Sequence, residues 1–140
     1  MKIKVDNKEY SIKFGLKPTL KTHLVSKVVK VEDSADENIE GVEKLIELIP
    51  EMLLVGLQVH HKDEFGFDYD NNEEYNAKLD LAYDILEKYL ESEGADLIEL
   101  YHAMENELLE NSFLSSLFQR EKAEQTQKTE KKGSTSKNGN

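Results

Sequence analysis

The stretch IEGVEKLIELIPEMLLVGLQVHHKDEFGFDYD, residues 39–70, decides the fold because it holds most of the dense apolar sequence of the chain. Up to Val59 it is mainly aliphatic, and from His60 onward it becomes polar. The polar part carries three aromatic residues at alternate positions, Phe65, Phe67 and Tyr69. This abrupt change of character divides the stretch into a helix-forming part and a linker.

The helix-forming part is apolar on more than one side. We predict a helix over 38–49, then either a kink at Pro50 or a new helix that starts there, with helical spacing continuing from Glu51 to His61. Gly56 within it lowers stability relative to Ala unless a close helix–helix contact needs the space. Such a helix is buried centrally or lies in a subunit interface, because no narrow stripe holds Leu53, Leu54, Val55 and Leu57 together.

Outward from this stretch, the N-terminus predicts a β-hairpin over residues 1–14. Apolar and polar residues alternate on both sides of the turn-forming cluster Asp6-Asn7-Lys8-Glu9. An isolated two-stranded hairpin is only marginally stable in water, so its apolar face must pack on a helix or another subunit. A first helix is expected to follow, from about Pro18 to about Lys30.

The C-terminal half predicts three further helices and a polar end. Helical spacing covers about Tyr75 to Ser92, with Leu90 among the inward residues and Gly94 as a stop signal, then Asp96 to Asn111, then the short segment Phe113 to Phe118. The whole chain is therefore expected to be α+β but mostly α, with a hairpin and a bundle of about five helices. We predict a domain over 1–121 and a disordered polar tail over 122–140, which has no large apolar residue.

Composition narrows the classes of partner and compartment. The net charge is −11: the tail carries +3 and the rest of the chain −14. Phosphate binding relies on clustered Lys and Arg, so we expect no nucleic-acid partner. No apolar run reaches the ~18 residues of a membrane span, so we expect no membrane association. The absence of cysteine excludes disulfides and suits a reducing cytoplasm.

Two polar clusters in the linker contain residue types that can bind a metal, but their spacing does not match the known motifs. His60, His61, Asp63 and Glu64 lack the two histidines at i and i+4 of a zinc-protease helix. The run 68–72 begins like a calcium loop, Asp-x-Asp-x-Asn, but Glu73 replaces the required glycine and Leu79 the bidentate glutamate. We interpret these clusters as a helix terminus and a capping loop, and we expect no metal and no cofactor.

The remaining candidates are apolar. No phosphate-binding loop, nucleophile elbow or catalytic triad pattern is visible, so we expect no enzyme activity and no catalytic residue. The chain has more large apolar residues than one small core needs to bury. They lie in a helix that is apolar on several sides, in the polar linker with its aromatics and in the FLSSLF segment. Apolar patches on soluble proteins often mark partner contacts, and the residues that we predict to contact a partner are Leu53, Leu54, Leu57, Phe65, Phe67 and Tyr69.

The chain resembles the tail assembly chaperones of long-tailed phages and prophages of Gram-positive bacteria. The resemblance rests on MKIKVDNKEYSIKFGLK at the N-terminus, on LIPEMLLVGLQVHHKDEFGFDYDNNEE over residues 48–74 and on the polar end, and it covers roughly residues 1–120. It implies a non-enzymatic viral protein in the host bacterial cytoplasm. Its partner would be the tape measure protein, a very long, helical, apolar-rich chain that the chaperone keeps soluble until tail tube subunits assemble around it.

The resemblance also implies a homo-oligomer, a ring or a spiral, and a longer frameshifted form of the same chain. The Lys-rich run 130–133 is compatible with a frameshift site. Two alternatives from other classes stay open. The −14 body would suit an acidic DNA-mimic inhibitor if its carboxylates were spaced like duplex phosphates. A metal-dependent enzyme would use His60, His61 and Asp63.

Overall fold

The computed structural model describes residues 1–34 and 38–117. An antiparallel hairpin is followed by six helices in these residues, and residues 115–117 are helical as well. The predicted α+β, mostly α architecture is confirmed. The predicted tail over 122–140 and the end of the predicted segment Phe113–Phe118 lie outside the described residues. The elements are β1 Lys2–Val5, β2 Lys8–Ser11, α1 Leu16–Lys21, α2 Leu24–Ser34, α3 Ile39–Gly56, α4 Lys62–Phe65, α5 Asn72–Leu90 and α6 Leu97–Glu110.

The hairpin turn is tighter than predicted. It consists of Asp6 and Asn7 alone, whose φ angles are +51° and +63°. Short polar residues tolerate this left-handed conformation, and two such residues match the twist of the flanking strands. Lys8 and Glu9, which we assigned to the turn, therefore belong to β2 and pair with Val5 and Lys4.

The predicted first helix is two helices, which corrects the single helix expected over 18–30. The backbone of His23 is left-handed, with φ of +55°, so α1 ends and α2 starts in a new direction. The Thr22 hydroxyl donates to the carbonyl of Pro18 at 2.7 Å, and the Thr22 N–H donates to the same carbonyl at 3.3 Å, so both groups of Thr22 close the end of α1. Leu20, near the end of α1, is 54% exposed.

Helix α3 is continuous through Pro50 and forms the centre of the fold. The Asn38 side chain caps its N-terminus by accepting from the Gly41 N–H at 2.9 Å. Gly56 is required for close packing, as expected, but the neighbour is the chain after β2 rather than a helix. A Cβ at Gly56 would lie 2.5 Å from Ile12 Cγ2, and the Gly56 carbonyl accepts from the Lys13 N–H at 2.9 Å.

Helices α5 and α6 begin where polar side chains cap them. Asn71 accepts from the N–H groups of Glu73 and Glu74, so α5 starts at Asn72, three residues before the predicted Tyr75. Asp96 caps α6 in the same way. Helix α5 ends at Leu90, two residues before the predicted Ser92, and Leu90 is 47% exposed because it lies at the last position of the helix rather than inward.

One hydrophobic core joins the hairpin, α3 and the helices around it. Helix α3 contacts α2, α5 and α6, and the hairpin contacts α5. The apolar face of the hairpin packs on the helices, as we expected for a hairpin that is only marginally stable alone. Its residues Val5, Tyr10, Ile12 and Phe14 are all buried. No helix in the described ranges combines the length and apolarity needed to cross a bilayer.

Candidate partner-binding cleft

The loop between α4 and α5, residues 66–71, holds a cluster of aromatic rings. The Phe67 ring lies 5.0 Å from that of Tyr69 and 5.3 Å from that of Tyr75, both in edge-to-face orientation. The Tyr75 hydroxyl donates to Glu51 Oε1 at 2.6 Å, which ties the cluster to α3. Edge-to-face pairs of this kind stabilise by more than their buried area alone, so the rings form a defined surface.

The acidic residues of this loop serve to shape it. Asp68 Oδ1 accepts from the Asp70 N–H at 2.9 Å, and Glu74 Oε2 accepts from the Asp68 N–H at 2.8 Å. Together with the Asn71 cap, these bonds give Asp68 and Glu74 a role in shaping the loop. Across residues 1–34 and 38–117 no group of three or more His, Asp or Glu side chains is arranged to hold a metal ion.

The base of the loop is held by a buried glutamine. Gln58, 5% exposed, donates from Nε2 to the carbonyl oxygens of Leu54 at 3.1 Å and Phe65 at 2.8 Å. The chain turns sharply at Gly66, where a Cβ would lie 2.5 Å from the carbonyl oxygen of Lys62. The loop therefore leaves the core at a fixed point and in a fixed direction.

A cleft of about 380 Å³ opens between α1 and this loop. Phe67 and Tyr69 line it with aromatic rings, and α1 contributes Lys17 and Pro18 to its lining. The Lys17 ammonium lies 6.0 Å from the centre of the Tyr69 ring, at the outer limit for a cation–π contact. The residues that line the cleft are Lys17, Pro18, Gln58, Lys62, Phe67, Asp68 and Tyr69.

The cleft lies where a basic part of the chain meets an acidic one. Residues 1–31 contain eight lysines and two acidic residues, a net charge of +6. Residues 38–117 contain four lysines and twenty acidic residues, a net charge of −16. Lys17 and Lys62 both border the cleft, and no carboxylate of the described chain lies within ion-pair distance of either. The mouth of the cleft is thus locally basic on an acidic protein.

The hydroxyls of the aromatic cluster are protonated over the physiological range. Burial raises the pKa of Tyr69 above its usual value. Burial also raises the pKa of Tyr75 well above that value, and the hydrogen bond to the Glu51 carboxylate raises it further. The cluster therefore presents neutral, hydrogen-bonding rings to the cleft.

Four of the six side chains predicted to contact a partner lie in the core, which corrects their assignment. Leu53, Leu54 and Leu57 are 0% exposed and Phe65 is 1% exposed. A fully enclosed side chain offers no surface to another molecule. The over-apolar character of α3 thus reflects a central position in the bundle. Phe67 and Tyr69 are only partly buried and meet at the cleft.

The histidine pair has a structural contact instead of a ligand geometry. His61 Nε2 accepts from the Ser11 N–H at 3.0 Å, and its ring lies 5.5 Å from that of Tyr10. This bond occupies the outer edge of β2 and holds the hairpin against the helices. His60 is exposed at the surface. The two residues therefore face different surroundings, and neither lies within a helix.

The sequence interpretation did not identify Lys17, Pro18, Gln58 or Lys62 as site residues. Each is ordinary in its own segment, and only the fold brings α1 next to the α4–α5 loop. The sequence feature that could have indicated them is the difference in net charge between residues 1–31 and the rest of the chain. No family model, curated protein or solved structure matches the chain, so the assignment of the cleft rests on its geometry.

Proposed function

We propose that the protein is a tail assembly chaperone that binds the tape measure protein of a long-tailed phage or prophage and keeps it soluble in the bacterial cytoplasm. The observation that carries the proposal is the cleft, an open aromatic surface on an otherwise highly charged helical domain. Leu16 and Leu20 of α1, the helix that contributes Lys17 and Pro18 to the cleft, are 59% and 54% exposed. Adjacent exposed apolar residues of this kind favour contact with another protein.

The charge distribution fits the same role. A coat of acidic domains around an apolar chain raises its net charge and keeps the complex dispersed. Many weak contacts along one long partner gain avidity from their number. The proposed role is binding without catalysis, and it includes association of several copies, as a ring or a spiral, and a longer frameshifted form that shares residues of this chain.

Co-expression with a tape measure fragment tests the proposal. We expect a fragment that is insoluble alone to move into the soluble fraction and to copurify with this protein. An unrelated acidic helical protein of similar size and charge is the control, because it reproduces the charge without the cleft. A fragment that is equally insoluble with and without this protein would refute the proposed function.

A second candidate, an acidic DNA mimic, is favoured by the −16 charge of residues 38–117. It requires carboxylates that follow the spacing of duplex phosphates. Competition against labelled duplex DNA for a bacterial histone-like protein tests it. Displacement of the DNA would support the mimic, and the absence of displacement at low salt would refute it.

A further inference from the structure

We propose that the cleft between α1 and residues 66–71 recognises a short peptide segment in which an acidic residue lies beside an aromatic or large aliphatic one. The inference deepens the proposed function and rests on it for the identity of the partner, since the segment would belong to the tape measure protein.

The size of the cleft fits side chains rather than a cofactor. Its volume of about 380 Å³ lies near the lower end of ligand pockets, which span roughly 300–1,000 Å³. Phe67 and Tyr69, an edge-to-face pair, and Pro18 all line the cleft. An aromatic or aliphatic side chain that enters the cleft would therefore meet apolar ring surface.

The charge of the cleft favours an anionic neighbour for that side chain. Four other lysines of the described chain pair with carboxylates: Lys2 with Glu9, Lys8 with Glu64, Lys27 with Glu51 and Lys88 with Asp6. Lys17 and Lys62 are among the eight lysines of residues 1–34 and 38–117 that form no such pair, and they are the two of these eight that line the cleft. Two exposed ammonium groups at the rim of an apolar cleft are complementary to a carboxylate that accompanies an apolar side chain.

The same arrangement disfavours a polyanion. Asp68 also lines the cleft, so a run of phosphates would meet a carboxylate as well as the two lysines. A single acidic side chain can approach Lys17 or Lys62 while the apolar side chain fills the space beside Tyr69. Val59, which lies beside Gly15 at the start of α1, is 42% exposed. Further apolar surface is therefore available near the N-terminus of α1.

A peptide titration followed by NMR tests the inference on the full chain. The probe is a short capped peptide whose centre reads Asp-Phe-Asp-Leu, compared with one that reads Lys-Phe-Lys-Leu and one that reads Asp-Ser-Asp-Ser. We expect amide shifts at Tyr69, Lys17 and Lys62 with the first peptide, and affinity at least about tenfold weaker for the other two. Equal binding of all three, or shifts confined to other surfaces, would overturn the inference.

Charge reversal provides the matched variants. Lys17→Glu with Lys62→Glu should weaken binding of the Asp-Phe-Asp-Leu peptide about tenfold or more and remove most of its salt dependence. Lys30→Glu with Lys44→Glu changes the net charge equally at exposed positions outside the cleft and should bind like the parent chain. Tyr69→Ala tests the apolar half of the site without changing the charge. Equal losses in both charge-reversal pairs would overturn the inference, since they would reveal a nonspecific charge effect.

Vesicles of an anionic phospholipid distinguish a membrane surface from a peptide. We expect no sedimentation of the protein with them. Lys17- and Lys62-dependent sedimentation without peptide binding would overturn the inference in favour of a lipid surface. Failure of the inference is separable from failure of the function: a tape measure fragment that becomes soluble without any peptide binding contradicts only the inference. Peptide binding with a fragment that stays insoluble contradicts only the proposed function.

Discussion

The α4 turn and the loop over residues 66–71 are adjacent in the chain but have opposite surroundings. Phe65, at the end of α4, is enclosed by the core and lies 6.2 Å from the Tyr10 ring of the hairpin. Phe67, two residues later, is only partly buried and contacts Tyr69 and Tyr75 beside the cleft. The comparison teaches that similar aromatics at alternate positions divide between core and surface when a glycine between them redirects the chain.

The largest expected effect separates these two phenylalanines. Phe65→Ala should lower the free energy of unfolding by about 3–5 kcal/mol, because it removes a fully buried ring and leaves a cavity. Urea denaturation followed by circular dichroism measures it. A loss below about 1 kcal/mol would mean that Phe65 is not the core anchor that its burial indicates.

The junction between the two regions depends on Gln58. Gln58→Met keeps the approximate shape of the side chain but removes the donor to the Phe65 carbonyl, so we expect a loss of about 1–3 kcal/mol from an unsatisfied buried carbonyl. The same denaturation measurement applies. Greater stability of the variant than of the parent would contradict the role of this bond.

We expect alkaline pH to lower the stability of the protein through two tyrosines that connect different helices. Burial raises the pKa of Tyr75 and of Tyr101, and the neighbouring Glu51 and Glu32 raise them further. The unfolded chain releases these protons first, so their contribution is complete below the unfolded tyrosine pKa of about 10 and is lost above it. The denaturation midpoint should therefore decrease as the pH rises above about 10. It should decrease less steeply in the double variant that carries Tyr75→Phe and Tyr101→Phe. The same pH dependence of the midpoint in the parent chain and in the double variant would contradict the role of these two tyrosines.

The smallest stability effect belongs to the cleft itself. Phe67→Ala and Tyr69→Ala should each cost about 1 kcal/mol or less, because the two rings are partly exposed and chiefly contact each other and Tyr75. Thermal denaturation of each variant beside Phe65→Ala measures the contrast. A loss comparable to that of Phe65→Ala would assign Phe67 or Tyr69 to the core and remove it from the proposed surface.

Periodicity in the sequence predicts the element types well. Alternation over residues 1–14 predicts the hairpin, and helical spacing predicts α3, α5 and α6 with ends one to three residues from those observed, apart from the C-terminal end of α3. These signals are local and depend on which face of an element is apolar. The break at His23 has no such signal, since a histidine in the left-handed conformation is not marked by glycine or proline.

The candidate site was predictable only in part. Phe67 and Tyr69 are unusual in the sequence because they are aromatics in a polar linker, but Phe65 has the same feature. Their separation depends on the Gln58 bond and the turn at Gly66, which are tertiary features. Likewise Lys17 meets the loop only through the packing of α1, about fifty positions away in the chain.

The central claim is that the cleft binds the partner while the core beneath it only supports the fold. The most direct measurement is the soluble yield of a tape measure fragment co-expressed with Tyr69→Ala combined with Lys17→Glu, compared with the parent chain and with Lys44→Glu. We predict that the cleft variant melts within a few degrees of the parent yet loses most of the soluble fragment, whereas Lys44→Glu retains it. A folded cleft variant that solubilises the fragment as well as the parent does would contradict the claim.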